Sequence, residues 1–254
     1  MSKSKDLFSE QASRYAQFRP TYPEELFRYL ASLPSERKLA WDCGCGSGQA
    51  AVKLADHFDR VIATDSSEKQ LENAIRHPKV TYRQASAENS GLEDRSVDLT
   101  IAAQSFHWFK RDEFYAEVRR VSKPGGVLAI WCYGLAEISP EVDAIVRHLY
   151  GEILGSYWEK ERKLVEEGYK SVSFPFREIT PPQFQMVAKW SLDQLVGYLG
   201  TWSALQTFIE RNGHNPLEFL RSELKKAWGD DLIQNVQWKL AMRVGAIHPS
   251  TGSG

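Results

Sequence analysis

Residues 39–48 (LAWDCGCGSG) constrain the fold of this chain more than any other feature of its sequence. An apolar stretch that predicts a buried strand runs directly into three glycines, and residues 49–58 then have the pattern of a helix. Glycine permits a tight turn and lets a ligand approach the backbone, and a helix that follows presents free N–H groups. The segment therefore predicts a ligand-binding turn between a strand and a helix.

The first half of the chain repeats this alternation of strand-like and helix-like stretches. Strands are predicted at 38–43, 60–64, 79–84, 97–103 and 127–133, helices at 67–76 and 112–121, and a turn at 123–126. Such alternation indicates βαβ units with helices on both faces of a parallel sheet. The predicted fold class is therefore α/β: a Rossmann-like, doubly wound, mostly parallel seven-stranded sheet with N-terminal helices and a small cap.

The predicted organisation is a single domain over residues 1–254, with a core at about 36–135 and a cap and C-terminal elements at about 136–254. Residues 155–177 are rich in aromatic and charged side chains. This stretch is interpreted either as a cap over the carboxyl edge of the sheet or as an ordinary surface excursion, and composition favours neither.

Charge and cysteine usage limit the classes of partner. With 32 Lys and Arg against 33 Asp and Glu, the net charge of −1 creates no field that would attract nucleic acid or anionic lipid. The apolar runs are much shorter than the roughly 20 residues of a membrane span. Three cysteines without framework spacing favour a reducing compartment, and Cys43 and Cys45 lack the further ligands of a zinc site. We expect a cytoplasmic protein with a small-molecule partner, no nucleic acid, no membrane and no metal.

An acidic residue at the end of the second strand points to a ribose. Asp65 directly follows the predicted strand 60–64, where a carboxylate grips ribose hydroxyls in nucleotide-binding α/β folds. The alternative is a solvated strand-end acid. No Lys-Ser/Thr pair follows Gly48, which argues against a phosphate-binding P-loop.

The spacing of Asp42, Gly44, Gly46 and Gly48 resembles the E/D-x-G-x-G-x-G signature of class I S-adenosylmethionine-dependent methyltransferases (methyltransferase type 11). The segments 85–88 (ASAE), 94–98 (DRSVD) and 123–126 (KPGG) agree with that resemblance. Further segments are similar to the trans-aconitate methyltransferase-like branch: 14–15 (RY), 19–23 (RPTYP), 105–109 (SFHWF), 129–133 (AIWCY), 156–159 (SYWE) and 201–204 (TWSA).

The resemblance implies S-adenosylmethionine as cofactor and assigns two sets of residues. The expected cofactor-binding residues are Tyr15, Arg19, Asp42, Gly44, Gly46, Gly48, Asp65, Ser66, Gln70, Ala87, Glu88 and Gln104. The expected acceptor-binding residues are Tyr22, His107, Trp108, Tyr133, Tyr157, Trp158, Arg162 and Trp202.

Several of these residues have a second interpretation. Tyr15 could place its aromatic face against the sulfonium, and Arg19 could pair with a carboxylate. Alternatively, Tyr15 packs in an amphipathic core and Arg19 caps the end of a helix. Glu88 fits equally well as a turn acid, with Ala87 contacting adenine through its backbone. Gln104, at the end of a strand, is expected to face ligand.

The acceptor determines whether a base is needed. The predicted reaction is methyl transfer to a small molecule, with a carboxylate that forms an O-methyl ester as the first candidate. A phenol, amine or carbon acid would require a base, for which His107 is the catalytic candidate, although a lone histidine beside aromatics is more often structural. Two other classes stay open: a nicotinamide-dependent oxidoreductase, which the glycine spacing disfavours, and a non-catalytic nucleotide-binding module. The oligomeric state is not predicted.

Overall fold

A computed structural model describes residues 20–247 of the chain. Its strands are β1 (Leu39–Cys43), β2 (Arg60–Asp65), β3 (Val80–Gln84), β4 (Val97–Ala103), β5 (Ser122–Tyr133), β6 (Arg177–Ile179), β7 (Gln185–Trp190) and β8 (Gln234–Ala246). Its α-helices are α1 (Glu24–Ala31), α2 (Gln49–Leu54), α3 (Glu68–Glu72), α4 (Arg111–Val121), α5 (Pro140–His148), α6 (Arg162–Glu166), α7 (Leu192–Leu199), α8 (Ser203–Asn212) and α9 (Pro216–Trp228). A π-helical stretch follows α5 at Leu149–Ile153, and short 3-10 turns lie at Phe106–Trp108 and Gly155–Tyr157.

The sheet confirms the predicted fold class. Seven strands follow one another in the order β3-β2-β1-β4-β5-β8-β6, and β1 to β5 are mutually parallel while β8 is antiparallel to β5. The chain reverses its direction of winding between β1 and β4, which is the point where α/β sheets bind ligands. Within the described residues the sheet has eight strands rather than seven, because β7 adds to β8 outside this order.

Strand β1 lies inside the sheet, between β2 and β4, and all five of its residues are buried. Its alternate side chains Leu39, Trp41 and Cys43 join one hydrophobic cluster with Phe114 and Val118 of α4. Because side chains alternate across a strand, Ala40 and Asp42 face the other side. The turn that follows β1 is therefore carried by a rigid element.

The Pro-Gly-Gly segment before the fifth strand is a correction to the sequence prediction. Residues 123–126 were expected to form a turn, but they lie inside β5. The pairing with β4 shifts register between Val97 and Leu99, so the segment forms an irregularity within the strand. A local turn pattern was overridden here by strand pairing.

The chain forms two compact units. Residues 22–134, 163–184 and 239–247 form the first, called the sheet unit, which contains β1 to β6. Residues 135–162 and 185–238, with Pro20 and Thr21, form the second unit, which contains α5 and α7 to α9. The stretch 155–177, interpreted as a cap, is thus divided between the two units after Arg162. Within residues 20–247, no helix combines the length and apolarity needed to cross a bilayer.

Candidate cofactor site and acceptor-binding residues

A crevice lies at the carboxyl ends of the central strands, entirely within the sheet unit. Residues from the segments that follow β1, β2, β3 and β4 line it: Gly44, Asp65, Ser66, Ala85, Ser86, Ala87, Glu88, Ser105, Trp108 and Phe109. Parallel strands bring their carboxyl ends to one edge, so segments distant in sequence meet there. Six of these residues were predicted, and Ala85, Ser86, Ser105 and Phe109 were not.

The glycine turn after β1 has left-handed backbone at all three of its predicted glycines, which L side chains rarely adopt. At Gly44, with φ of +68°, a Cβ would lie 2.6 Å from the Cβ of Ser105. Ser105 is itself fixed there, since its hydroxyl donates to the Cys43 carbonyl at 2.9 Å. Gly44 therefore lets the segment after β4 close against the turn after β1.

The third glycine of the motif has a different role. A Cβ at Gly48 would lie 2.1 Å from the hydroxyl oxygen of Tyr82, a residue of β3. That hydroxyl donates to the carbonyl of Ile75 at 2.6 Å. Gly48 does not line the crevice, so its requirement for glycine comes from packing. Gly46 lies near the predicted residue Gln70, whose Oε1 would be 3.8 Å from a Cβ at that glycine.

Asp65 connects the end of β2 to the glycine turn. Its Oδ2 accepts a hydrogen bond from the Gly46 amide at 2.8 Å, and its Oδ1 accepts one from the Ser67 amide at 2.9 Å. Asp65 is only partly buried and lines the crevice beside Ser66. One carboxylate thus shapes the turn and is exposed to a ligand.

Asp42 is a buried residue whose carboxyl oxygens lack hydrogen-bond partners. It is fully buried, and neither oxygen makes a hydrogen bond of ordinary geometry. Burial, together with the negative charge of Asp65, raises the pKa of Asp42 to about 7, against the stabilising influence of the Ala51 amide. An unpaired buried carboxyl group is costly, and a positively charged ligand in the adjacent crevice would offset that cost.

The loop after β3 is held by the helix α4. Oε1 of Glu88 accepts from the Lys110 amide at 2.9 Å, so this acid caps the start of α4. Oε1 of Glu117 accepts from the amide of Ser90 at 2.8 Å and from its hydroxyl at 2.5 Å. Burial opposes ionisation of Glu117, but hydrogen bonds from Arg120 and Ser90 outweigh it and lower its pKa. Glu117 was not predicted, and as one charge on an amphipathic helix it carried no sequence signal.

Gln104 bridges the ends of β4 and β5. Its Oε1 accepts from the Tyr133 amide at 2.9 Å, and its Nε2 donates to the Tyr133 carbonyl at 3.3 Å. Its φ of +56° is uncommon for a residue other than glycine. Gln104 was expected to face the ligand, but the two polar atoms of its side-chain amide are hydrogen-bonded to the backbone of Tyr133.

The predicted acceptor residue Tyr22 packs edge-on against Trp131 of β5, with 5.5 Å between ring centres, and its ring centre lies 6.5 Å from that of Tyr133.

Two consecutive residues after β4 point in different directions. His107 is 6% exposed, and its Nδ1 lies 3.0 Å from the hydroxyl oxygen of Tyr169. Trp108 is 57% exposed and lines the crevice. A large exposed indole in a concave site is typical of a ligand-contacting residue.

The other predicted acceptor residues lie in the second unit. Nε of Arg162 donates to the Tyr150 hydroxyl at 3.0 Å, and the guanidinium lies 5.0 Å from the centre of the Trp158 ring. Trp158 contacts both Tyr150, at 4.7 Å, and Trp202, at 5.5 Å, between ring centres. Tyr150 was missed by sequence reasoning. Tyr157 instead packs on Phe208 and accepts a hydrogen bond from Asn212. The predicted residues Tyr15 and Arg19 lie outside the described residues.

The order of strands, the glycine turn after β1 and the carboxylate at the end of β2 define a Rossmann-like fold that binds a nucleoside cofactor. Residues 41–130 match the family model of a methyltransferase domain. A methyltransferase-family protein of Dictyostelium discoideum is 36% identical, and the similarity covers 95% of each chain. A Saccharomyces cerevisiae protein named as an S-adenosylmethionine-dependent methyltransferase is 25% identical over 85% of this chain and 87% of its own.

A solved structure shows the same fold. The structure of a type II methyltransferase-family protein from Anaeromyxobacter dehalogenans is 47% identical to this chain, with a TM-score of 0.85. The match covers 91% of this chain and 99% of that one. The chain therefore belongs to the S-adenosylmethionine-dependent methyltransferases, and S-adenosylmethionine is its cofactor.

The residues at this edge of the sheet are chemically suited to this cofactor. S-adenosylmethionine supplies an activated methyl group on a positively charged sulfonium, so that most of the chemistry belongs to the cofactor. The unpaired carboxyl group of Asp42 suits a cation, and the left-handed Gly44 leaves the backbone open to close approach. The task of the chain is to bind, orient and shield the reacting groups.

Proposed function

We propose that this protein transfers the methyl group of S-adenosylmethionine to a carboxylate of a small di- or tricarboxylic acid, forming a methyl ester. The proposal depends on Arg162 in the second unit. One face of its guanidinium rests on Trp158, and its Nε is occupied by Tyr150. Among residues 20–247, no carboxylate pairs with Arg162, although other arginines such as Arg221 and Arg243 have acidic partners.

An arginine held in this way is suited to bind an anion. Stacking on an aromatic ring and one fixed hydrogen bond restrict the guanidinium, and its two terminal NH2 groups can still donate in parallel to a carboxylate. Less conformational freedom is then lost when the ligand binds. We assign this contact to a carboxylate of the acceptor.

A carboxylate acceptor also agrees with the environment of His107. Carboxylates are ionised at neutral pH and attack without a base. The imidazole that would act as base for a phenol or amine is buried and hydrogen-bonded to Tyr169. The resemblance to the trans-aconitate methyltransferase-like branch supports the same class of acceptor.

The test is a screen of di- and tricarboxylic acids in which formation of S-adenosylhomocysteine is measured. With an active acid, Arg162→Gln should raise the KM for the acceptor about 10- to 100-fold, the range for a lost charge-assisted hydrogen bond. The control is Arg221→Gln, which changes an exposed arginine of the same unit that pairs with Asp193. Turnover of phenols or aromatic amines alone, abolished in His107→Asn, would refute the proposal.

A further inference from the structure

We propose that Tyr169 is a positioning residue for cofactor binding. Through its hydrogen bond to His107 it holds residues 105–109 in the arrangement that forms one wall of the crevice. The inference depends on the cofactor site and not on the identity of the acceptor. It also gives His107 a role other than that of a base.

Residues 105–109 are divided between the crevice and the interior. Ser105, Trp108 and Phe109 line the crevice, whereas Phe106 and His107 are buried. The turn has little regular structure of its own, since only residues 106–108 form a short 3-10 turn. The turn is therefore held at its two ends by the Ser105 hydroxyl and the Lys110 amide, and between them by the two inward side chains.

Tyr169 contacts both of those inward side chains. Its ring meets Phe106 edge-on at 5.2 Å between centres, and its hydroxyl oxygen lies 3.0 Å from Nδ1 of His107. Tyr169 is fully buried. Inside the protein such a hydrogen bond is stronger than at the surface, and losing it leaves a buried polar atom without that partner.

The backbone that presents Tyr169 is strained and firmly held. Gly168 and Tyr169 are both left-handed, with φ of +59° and +60°. A tyrosine adopts this conformation only where its surroundings enforce it. Here Arg243 of β8 donates to the Tyr169 carbonyl at 3.2 Å and also to the Val172 carbonyl, while it pairs with Glu178. The direction of the tyrosine ring is therefore fixed by contacts on both sides.

A second tyrosine provides a matched control. Tyr115 is also buried, packs on Phe106 at 5.9 Å, and donates its hydroxyl to the Ser173 carbonyl at 2.8 Å. Its hydroxyl thus reaches the same returning segment, residues 163–184, but it bonds no residue of the 105–109 turn. Removing the Tyr115 hydroxyl breaks a partly buried hydrogen bond to backbone, whereas removing the Tyr169 hydroxyl breaks the buried bond to the 105–109 turn.

The experiment is calorimetric titration of Tyr169→Phe and Tyr115→Phe with S-adenosylhomocysteine, together with thermal unfolding of each variant. We expect Tyr169→Phe to weaken binding about five- to twentyfold, from the loss of one buried hydrogen bond. Tyr115→Phe should bind within about twofold of the original protein, although both lose similar stability. Equal affinities in the two variants would overturn the proposal.

Substitutions of His107 test the same contact from the other side. Asparagine places its amide near the position of Nδ1 and can keep the hydrogen bond, whereas leucine cannot. His107→Asn should therefore retain most of the affinity for S-adenosylhomocysteine, and His107→Leu should lose as much as Tyr169→Phe. Combining His107→Leu with Tyr169→Phe should add no further loss. Additive losses, or equal losses in the two His107 variants, would contradict a positioning role.

Discussion

Two buried aspartates on neighbouring strands differ in their hydrogen bonding: Asp98 lies at the amino-terminal edge of the parallel strands and Asp42 at their carboxyl-terminal edge. Asp98, near the start of β4, is 3% exposed and fully satisfied: it accepts from the amides of Lys38 and Leu39 and from the ammonium of Lys123 at 2.7–2.9 Å. Asp42, near the end of β1, is fully buried and makes no such bond. The same residue type is thus fully hydrogen-bonded at one edge and lacks such bonds at the other.

The difference in hydrogen bonding has opposite consequences for the stability of the fold. A paired buried carboxylate is costly to disrupt, whereas an unpaired one destabilises the fold until a cation or a proton neutralises it.

The largest effect on stability is expected at the amino-terminal edge, where Asp98 is fully hydrogen-bonded. Asp98→Ala should lower the free energy of unfolding by about 3 kcal/mol, because it leaves two backbone amides without their acceptor and leaves the Lys123 ammonium with Glu36 alone. Chemical denaturation of the cofactor-free protein measures this. Asp94→Ala is the control, since Asp94 is exposed and its pair with Arg120 should contribute less than about 1 kcal/mol. A similar small loss in both variants would contradict the account.

A smaller effect, on binding, is expected at the end of β2. Asp65→Ala should weaken binding of S-adenosylmethionine by about 1–3 kcal/mol, because it removes a proposed ribose ligand and releases the Gly46 and Ser67 amides. Asp59→Ala, at the exposed amino end of the same strand, should leave affinity unchanged. Unchanged affinity in Asp65→Ala, measured by calorimetry, would remove Asp65 from the site.

Stability should depend on pH through Asp42. Its pKa is raised from 3.8 to about 7 in the folded chain, so the native state holds a proton that the unfolded chain has lost. This contribution is fully present below about pH 4 and disappears as the pH rises through 7. Asp42→Asn should therefore become more stable relative to the original protein by about 2 kcal/mol between pH 5 and pH 8. An advantage that does not grow with pH would show that Asp42 is not an unpaired buried acid.

Much of the cofactor edge was predictable because its signals are local. Asp42 lies at the end of a predicted strand, and Gly44 and Asp65 directly follow predicted strands. Parallel strands bring these ends together without further information.

The remaining features depend on contacts between distant segments. A Cβ at Gly44 would clash with Ser105, and Tyr169 forms a hydrogen bond with His107 although the two residues are 62 positions apart in sequence. Neither contact can be recognised from the sequence. Residues 123–126 contain the strongest turn signal of the first half, yet pairing with β4 keeps them in a strand. Local patterns predicted the elements and the edge where ligand binds, whereas packing decided which side chains face it.

The most direct test of the contrast is calorimetric titration with S-adenosylmethionine at pH 6 and pH 8, in the original protein and in Asp42→Asn. Binding a cation should lower the pKa of Asp42 and release a proton near pH 7. We predict that the affinity of the original protein rises with pH and that its binding heat depends on the buffer's ionisation enthalpy, while Asp42→Asn shows neither effect. Proton-independent binding in the original protein, or the same pH dependence in both proteins, would contradict the proposal that a positively charged cofactor lowers the pKa of Asp42.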